Sequence, residues 1–347
     1  MNKWDLLSLL REQTGDKYIS GEKISQNFNV TRAAVWKCVN ELKKLGYEIE
    51  SKTNNGYKII LPQNDNQDNQ ILNEYEISSR LQKKDLKLNY DVIYKKSTDS
   101  TNNDAKGITG KNNLLIVTEK QTAGKGRYGR SFYSDNNNGI YFTIKISHDN
   151  ISLNIDDITF FPLIAAVSAS KAVSDLCGIE LSIKWPNDLL FKLPPSLRDT
   201  PLKEGGKDSG YKKICGILTE ASIEAENRSV SYVIVGIGLN VNNDLTEFPD
   251  DIKDIASSLK IISGKKYNRA DIISETVNIF TQFLFMPREL SLDEYRKRLL
   301  TGNDISFAQN GRIFKGKAVG ITNTGNLIAR LENGEETIIQ SGEINFI

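Results

Sequence analysis

Three cations are set among glycines in one short stretch, Gln121-Thr-Ala-Gly-Lys-Gly-Arg-Tyr-Gly-Arg130. Glycine takes positive φ without steric cost, so such a loop can fold closely over a ligand. Lys125, Arg127 and Arg130 supply the charge to hold an anion there. The chemistry this suits is the enclosure of a phosphate or carboxylate. Two common phosphate motifs do not account for it. Gly124-Lys-Gly-Arg-Tyr-Gly129 satisfies G-x-G-x-x-G, yet no helix start follows it, and the dinucleotide fingerprint needs one. A P-loop needs Ser or Thr after its lysine and a glycine five residues before Gly124, and the chain has neither. Taken alone, the loop also admits a reading as a flexible surface hairpin with solvated cations.

A fourth cation is placed by its strand. Leu181-Ser-Ile-Lys-Trp-Pro-Asn-Asp-Leu-Leu-Phe191 runs into a proline, which cannot continue ladder pairing. The strand therefore ends near Trp185, and Lys184 stands at its terminus, where functional side chains often project. Cys215-Gly-Ile-Leu-Thr-Glu220 follows. Tyr232-Val-Ile-Val-Gly-Ile-Gly-Leu-Asn-Val241 reads as a buried strand whose Gly236 and Gly238 let a ligand approach the backbone.

The elements that must position these residues are legible in outline. The glycine loop lies between apolar runs at 114–117 and 140–146, the second preceded by the turn Asn136-Asn-Asn-Gly139. Residues 158–176, with Asp157 as cap, and 271–285 have helical patterning. Alternating strands and helices predict an α+β domain with a mixed sheet over 71–300. From Thr301 the pattern changes to short β segments, with Asn333-Gly334 as a strong hairpin signal. A small closed or SH3-like β-barrel is expected over 301–347. Residues 192–213, with Leu-Pro-Pro-Ser and a Gly-Gly pair, lengthen what should be a tight hairpin and read as a mobile loop.

The first sixty residues form a separate pattern. Trp4, Leu6, Leu7, Leu9 and Leu10 make one helical face; Ser20 caps a second helix and Thr31 a third. Val35, Val39 and Leu42 face inward on the third helix, and Gly46 ends it. Two short strands around Asn54-Asn-Gly56 complete a winged helix-turn-helix over 1–62. Its third helix would enter a major groove, presenting Thr31, Arg32, Trp36, Lys37, Asn40 and Lys44. The segment holds ten basic and seven acidic residues, a net +3, which is modest for DNA binding. A three-helix protein-contact module is the other reading. The polar run at 63–70 predicts a flexible linker.

Composition removes several function classes. The 347 residues carry 45 basic and 44 acidic side chains, so no global field advertises nucleic acid. No run of about 18 apolar residues predicts a membrane span, and the start lacks an apolar signal core. Cys38, Cys177 and Cys215 form no C-x-x-C pair, which argues against a disulfide frame or zinc site and fits a reducing cytoplasm. A single histidine, His148, rules out a multi-histidine metal centre; its Ser-His-Asp-Asn context predicts an exposed turn.

Taken in order, these segments resemble the biotin protein ligases. Ser100-Thr-Asn102 resembles the family's S-T-N, residues 121–130 its Q-x-x-G-R-G-R-x-G-R, and residues 184–188 its K-W-P-N-D. Residues 216–220 resemble G-I-L-x-E, and residues 236–240 resemble G-I-G-x-N. Lys125 departs from the usual arginine, and the 192–213 insertion departs from the usual short turn. The resemblance implies the sheet shared with class II aminoacyl-tRNA synthetases and lipoate ligases. It implies an enzyme that takes ATP and biotin with Mg²⁺, forms biotinyl-5′-AMP, and passes biotin to a lysine of a biotin carboxyl carrier protein. Lys184 and Arg127 are then the expected catalytic residues. Ser100, Thr101, Asn102, Gln121, Gly124, Lys125, Gly126, Arg130, Gly216, Gly236 and Asn240 are the further expected contacts to biotin or its adenylate. No protein-held metal is expected. Some family members carry the winged module and repress biotin genes, so operator DNA and an adenylate-dependent homodimer are expected partners. A lipoate or octanoyl ligase is one alternative, although lipoyl has no ureido ring for these polar residues to read. A ligand-sensing transcription factor with an inactive ligase domain is the other.

Overall fold

The computed structural model describes residues 1–13, 17–60, 71–84, 86–110, 112–194, 210–224, 226, 229–309 and 311–347. The chain divides into two compact units, Met1–Glu76 and Ile77–Ile347. The expected linker at 63–70 and most of the 192–213 insertion lie outside the described residues.

In the first unit, α1 (Lys3–Glu12), α2 (Gly21–Asn27) and α3 (Arg32–Lys44) precede a hairpin of β1 (Ile49–Lys52) and β2 (Gly56–Ile59). Asn2 and Asp5 form a reciprocal capping box on α1, and the Ser20 and Thr31 hydroxyls cap α2 and α3. Leu6, Leu7, Leu10, Ile24, Val35, Val39 and Leu42 form the core. The apolar stripe expected on each helix is thus the buried one. Residues 71–76 also belong to this unit. Glu76, fully buried, accepts from Arg11 Nη2 at 2.7 Å and from the Tyr47 hydroxyl at 2.6 Å. Burial, then the neighbouring Glu76 charge, raises the Tyr47 pKa far above the ordinary phenol value, so Tyr47 remains a donor.

The division falls inside α4 (Glu74–Leu81). The second unit is built on a seven-stranded mixed sheet of β3 (Tyr90–Lys95), β4 (Asn113–Thr118), β5 (Ile140–Ser147), β6 (Ser182–Lys184), β7 (Asp188–Lys192), β8 (Tyr211–Ile223) and β9 (Val230–Leu239). Their spatial order is β3-β4-β5-β9-β8-β7-β6. Only β3 and β4 pair in parallel; every other neighbour is antiparallel. Buried on both sides, β4 and β5 read in the sequence as continuous apolar runs.

The helices of this unit are α5 (Thr101–Gly107), α6 (Ile155–Ile158), α7 (Phe161–Cys177), α8 (Leu259–Ser263), α9 (Arg269–Leu284) and α10 (Arg288–Arg298). The single helix expected from 158 begins instead at Phe161. Pro162 occupies its first turn, where a missing N–H costs nothing, and Asp157 closes a capping box with Asn154 on the short α6. His148 lies in the exposed turn after β5.

The carboxyl-terminal strands β10 (Asp304–Gln309), β11 (Arg312–Ile321), β12 (Leu327–Leu331), β13 (Glu336–Ile339) and β14 (Ile344–Phe346) form a five-stranded antiparallel sheet, ordered β13-β12-β11-β10-β14. The Asn333-Gly334 turn joins β12 to β13, with Gly334 at φ 88°. Among the described residues no helix is long and apolar enough to cross a membrane.

Candidate active site

The glycine loop leaves β4 and folds back on itself before β5. Gln121 N–H donates to Ser134 O at 2.9 Å, Phe132 N–H to Gly124 O at 2.9 Å and Gly126 N–H to Arg130 O at 2.7 Å. A single turn, Arg127–Gly129, makes the bend, with Tyr128 in the left-handed region at φ 55°. A non-glycine residue there carries local strain. The resulting tongue is a paired hairpin, not a helix N-terminus, as the lack of a following helix start requires. Gly124 has no room for a side chain, since a Cβ would lie 2.5 Å from both Phe132 O and Ser134 Oγ.

One end of the cleft is neutral and polar, and α5 builds it. Ser100 is the N-cap of α5 but makes no capping bond, so its hydroxyl is available. Gln121 Oε1 accepts from the Thr101 N–H at 2.9 Å, and Gln121 Nε2 lies 3.2 Å from Ser134 Oγ. Thr143 on β5 bonds both Thr101 Oγ1 and Asn102 Oδ1 at 2.7 Å. Two residues further along the same face of β5, buried Lys145 donates to Ala105 O at 3.0 Å and Ile108 O at 2.7 Å. An ammonium there closes the carbonyl end of α5 and fixes the helix. Burial lowers the Lys145 pKa.

The other end is cationic. Lys184 ends β6 and pairs in register with Asp188 on β7. Its Nζ sits 5.4 Å from the centroid of the Phe346 ring on β14. Burial is the largest influence on Lys184 and lowers its pKa; Lys213 and Arg130 act the same way, while Asp188 and Glu343 oppose. Lys213 pairs with Asp188 at 2.8 Å, and Arg130 with Glu343 at 2.6 Å. Arg127 is held loosely: its guanidinium lies 3.5 Å from Asn187 Oδ1 and 3.3 Å from the Tyr128 hydroxyl. Lys125 donates to Asn103 Oδ1 at 3.1 Å. Trp185 Nε1 donates to Gly325 O at 3.0 Å, which ties this corner to the carboxyl-terminal sheet.

Between the two ends lies a cleft of about 130 Å³, partly open to solvent. Ser100, Thr101, Asn102, Gln121, Lys125, Gly126, Arg127, Arg130, Lys184, Gly216 and Gly236 all line it. Gly124 and Asn240 do not. Asn240 is buried with its Nδ2 donating to Ser257 O at 3.0 Å, so the structure gives that side chain a loop-holding place instead. The strand glycines also have a different immediate neighbour from the one expected. A Cβ on Gly236 would lie 2.3 Å from Asn102 Oδ1, and one on Gly238 2.4 Å from the Phe132 ring. They make room for site side chains, and those side chains meet the cleft.

The sequence reading omitted Phe132, Trp185, Asp188, Lys213 and Glu343, all of which line the cleft. Trp185 and Asp188 sat inside a quoted motif. Lys213 and Glu343 carry no local signal, because only strand register and the packing of the last strand bring them in. Among the described residues no three His, Cys, Asp or Glu side chains cluster to hold a metal.

A neutral polar pocket and a cationic strand end thus share one cleft on the mixed sheet. Residues 4–58 match the model of an HTH domain, 92–240 that of the biotin/lipoate A/B protein ligase family, and 301–346 that of the biotin protein ligase C terminal domain. A biotin protein ligase from Aquifex aeolicus, solved in complex with biotin and ATP, superposes with TM-score 0.58 at 27% identity, over 74% of this chain and 98% of that one. The bifunctional ligase/repressor BirA of Bacillus spizizenii is 34% identical over 344 residues, covering 96% of this chain and 95% of that one; its Bacillus subtilis counterpart is 33% identical over the same length. The chain belongs to the biotin protein ligases, and among them to the bifunctional ligase/repressors.

Proposed function

We propose that the second unit condenses biotin with ATP and passes the biotinyl group to a carrier protein. Biotin's carboxylate oxygen attacks the α-phosphorus of ATP, and pyrophosphate leaves with the electrons of the broken P–O bond. A neutral lysine amine of a biotin carboxyl carrier domain then attacks the acyl carbon; the acyl C–O bond breaks, AMP leaves with its electrons, and the amide nitrogen loses its extra proton to solvent. The first step joins two anions, so its barrier depends on positioning and on fixed positive charge. Lys184 and Arg127 are assigned to the carboxylate and α-phosphate, with Arg130 and Lys213 near the leaving phosphates. Mg²⁺ bound to those phosphates would neutralise charge. Ser100, Thr101 and Gln121 are assigned to the ureido ring, which both donates and accepts.

The observation that carries this reading is that a neutral hydrogen-bonding end and a cationic end, with Lys125, Arg127, Arg130, Lys184 and Lys213, share one cleft that Phe132, Ile217 and Ile237 also line. That is the polarity of biotin itself, from ureido ring through aliphatic chain to carboxylate. The test is ATP–pyrophosphate exchange driven by biotin, with lipoate as control. Exchange with biotin alone is expected. Equal exchange with lipoate would favour the lipoate ligase reading, and none with either would favour a sensor with an inactive ligase unit.

The first unit is proposed to read operator DNA through α3. Arg32, Trp36, Lys37 and Lys44 are exposed there, Trp36 at 62%, while Asn40 is half-buried. Arg32 is paired with Glu22 at 2.7 Å, and the Thr31 hydroxyl accepts from Ala34 N–H as a cap, so Thr31 offers DNA its backbone more readily than its side chain.

A further inference from the structure

Glu220 closes the Gly216–Glu220 segment, and nothing in the reaction above uses it. Its Oε1 accepts from Lys106 Nζ at 2.6 Å, and its Oε2 accepts from Asn102 Nδ2 at 2.8 Å. Burial works to raise its pKa, but hydrogen bonds from Lys106 and Asn102 overcome it, so the carboxyl lies below its ordinary value. An ionised carboxylate only accepts. The Asn102 amide must therefore turn its NH₂ toward Glu220 and its oxygen toward Thr143. Thr143 has one proton, and Asn102 Oδ1, at 2.7 Å, can only accept it. The angle at the Thr143–Thr101 contact, also 2.7 Å, favours Thr143 as donor, but two such short O···O contacts need two protons; Thr143 has one and Asn102 Oδ1 has none, so the second is supplied by Thr101. Gln121 Oε1 is the poorer acceptor for that proton at 3.2 Å, and it is already bonded to the Thr101 N–H. With its proton committed, Thr101 presents only lone pairs to the cleft, and Gln121 presents its NH₂.

We infer that Glu220 is a positioning residue that sets, through Asn102 and Thr143, the donor and acceptor directions of the ureido end of the cleft. The inference rests on the biotin-ligase reading and deepens it: the fixed acceptor on Thr101 suits a ureido N–H. It also accounts for Gly236, where any side chain would displace Asn102 from this chain of bonds.

Glu220→Gln tests it with little change of shape. Lys106 keeps the remaining carbonyl oxygen, the new NH₂ faces Asn102, the Asn102 amide flips, and each bond onward reverses. Isothermal titration of biotin into the intact protein, without ATP, reads the effect. Glu220→Gln is expected to weaken biotin roughly tenfold, the scale of one misdirected hydrogen bond, with the thermal midpoint unchanged. Thr143→Val cuts the chain, so adding Glu220→Gln to it should change the dissociation constant less than about twofold, the non-additivity of coupled residues. Thr143→Ser keeps the hydroxyl and should bind as wild type. Binding by Glu220→Gln within about twofold of wild type would overturn the inference. So would equal, independent penalties in the two backgrounds. Failure of the wild-type protein to bind biotin would overturn the functional reading and this inference with it.

Discussion

Lys184 is the residue on which the proposed chemistry depends most. It is a half-buried cation whose pKa is lowered chiefly by desolvation, beside the Lys213–Asp188 ion pair at 2.8 Å. Lys184→Ala should slow formation of biotinyl-AMP by about 10²–10³, the loss seen when one charge-stabilising donor is removed. Single-turnover assays check this, and a rate within about threefold of wild type would remove Lys184 from the mechanism. Its lowered pKa has a second consequence. Between the folded and the ordinary lysine values the unfolded chain binds more protons, so stability rises with pH across that window. Below it the cost of the buried charge is fully present, so Lys184→Met should raise the thermal midpoint at neutral pH while abolishing adenylation. Arg127 differs, since its two contacts are long and it sits at the bend of the tongue. Arg127→Gly should leave adenylation measurable and speed release of the adenylate, because it removes a cation and loosens the loop. An unchanged adenylate off-rate in a stopped-flow chase would refute that lid role.

At the scale of elements, α5 and α4 show how packing assigns roles that local sequence leaves open. Lys145 looks like an ordinary strand lysine, yet it holds the carbonyl end of the helix that carries Ser100, Thr101 and Asn102. For α4, the sequence offers a polar linker ending near 70 as the natural place to cut. The structure assigns 71–76 to the first unit, where Glu76 is paired to Arg11 and Tyr47. A fragment of residues 71–347 should still ligate biotin to a carrier domain, and Glu76→Ala should make no difference within it. In the whole chain the same change strands Arg11 and should cost about 3–5 kcal/mol in the first unit. Streptavidin blots and calorimetry read the two effects. A folded but inactive fragment would show that the ligase unit does not act independently.

At the scale of the whole molecule, the proposal is that one ligand serves both units. A winged module of net +3, with Arg32 already partnered by Glu22, is too weakly charged to hold one site tightly. Two modules would supply charge and a second half-site, so the operator should be a spaced inverted repeat. Biotinyl-AMP is expected to shift the population toward a dimer, and consumption of the adenylate by carrier protein should reverse it. Sedimentation and gel-shift titrations, with and without biotin plus ATP, check this. Operator binding of equal strength without ligand would refute co-repression while leaving the ligase intact.

Periodicity, caps and turn residues determined the winged module, the strand-ending Lys184, the glycine tongue and the carboxyl-terminal hairpin, because each depends on neighbours a few residues away. What lay beyond sequence was whatever depends on register and contact across the sheet. Asn240 reads as a site residue by its place in a motif, but the tertiary structure turns its amide to Ser257. Lys213 and Glu343 stand 130 residues apart, and they meet at one cleft through antiparallel pairing with β7 and the seating of β14 beside it. Gly236 and Gly238 read as places where a ligand nears the backbone, yet the space they leave is filled first by Asn102 and Phe132. A motif states which residue types a reaction needs. Their directions, partners and protonation are set by groups distant in the chain, and only the folded sheet brings those groups within hydrogen-bonding range.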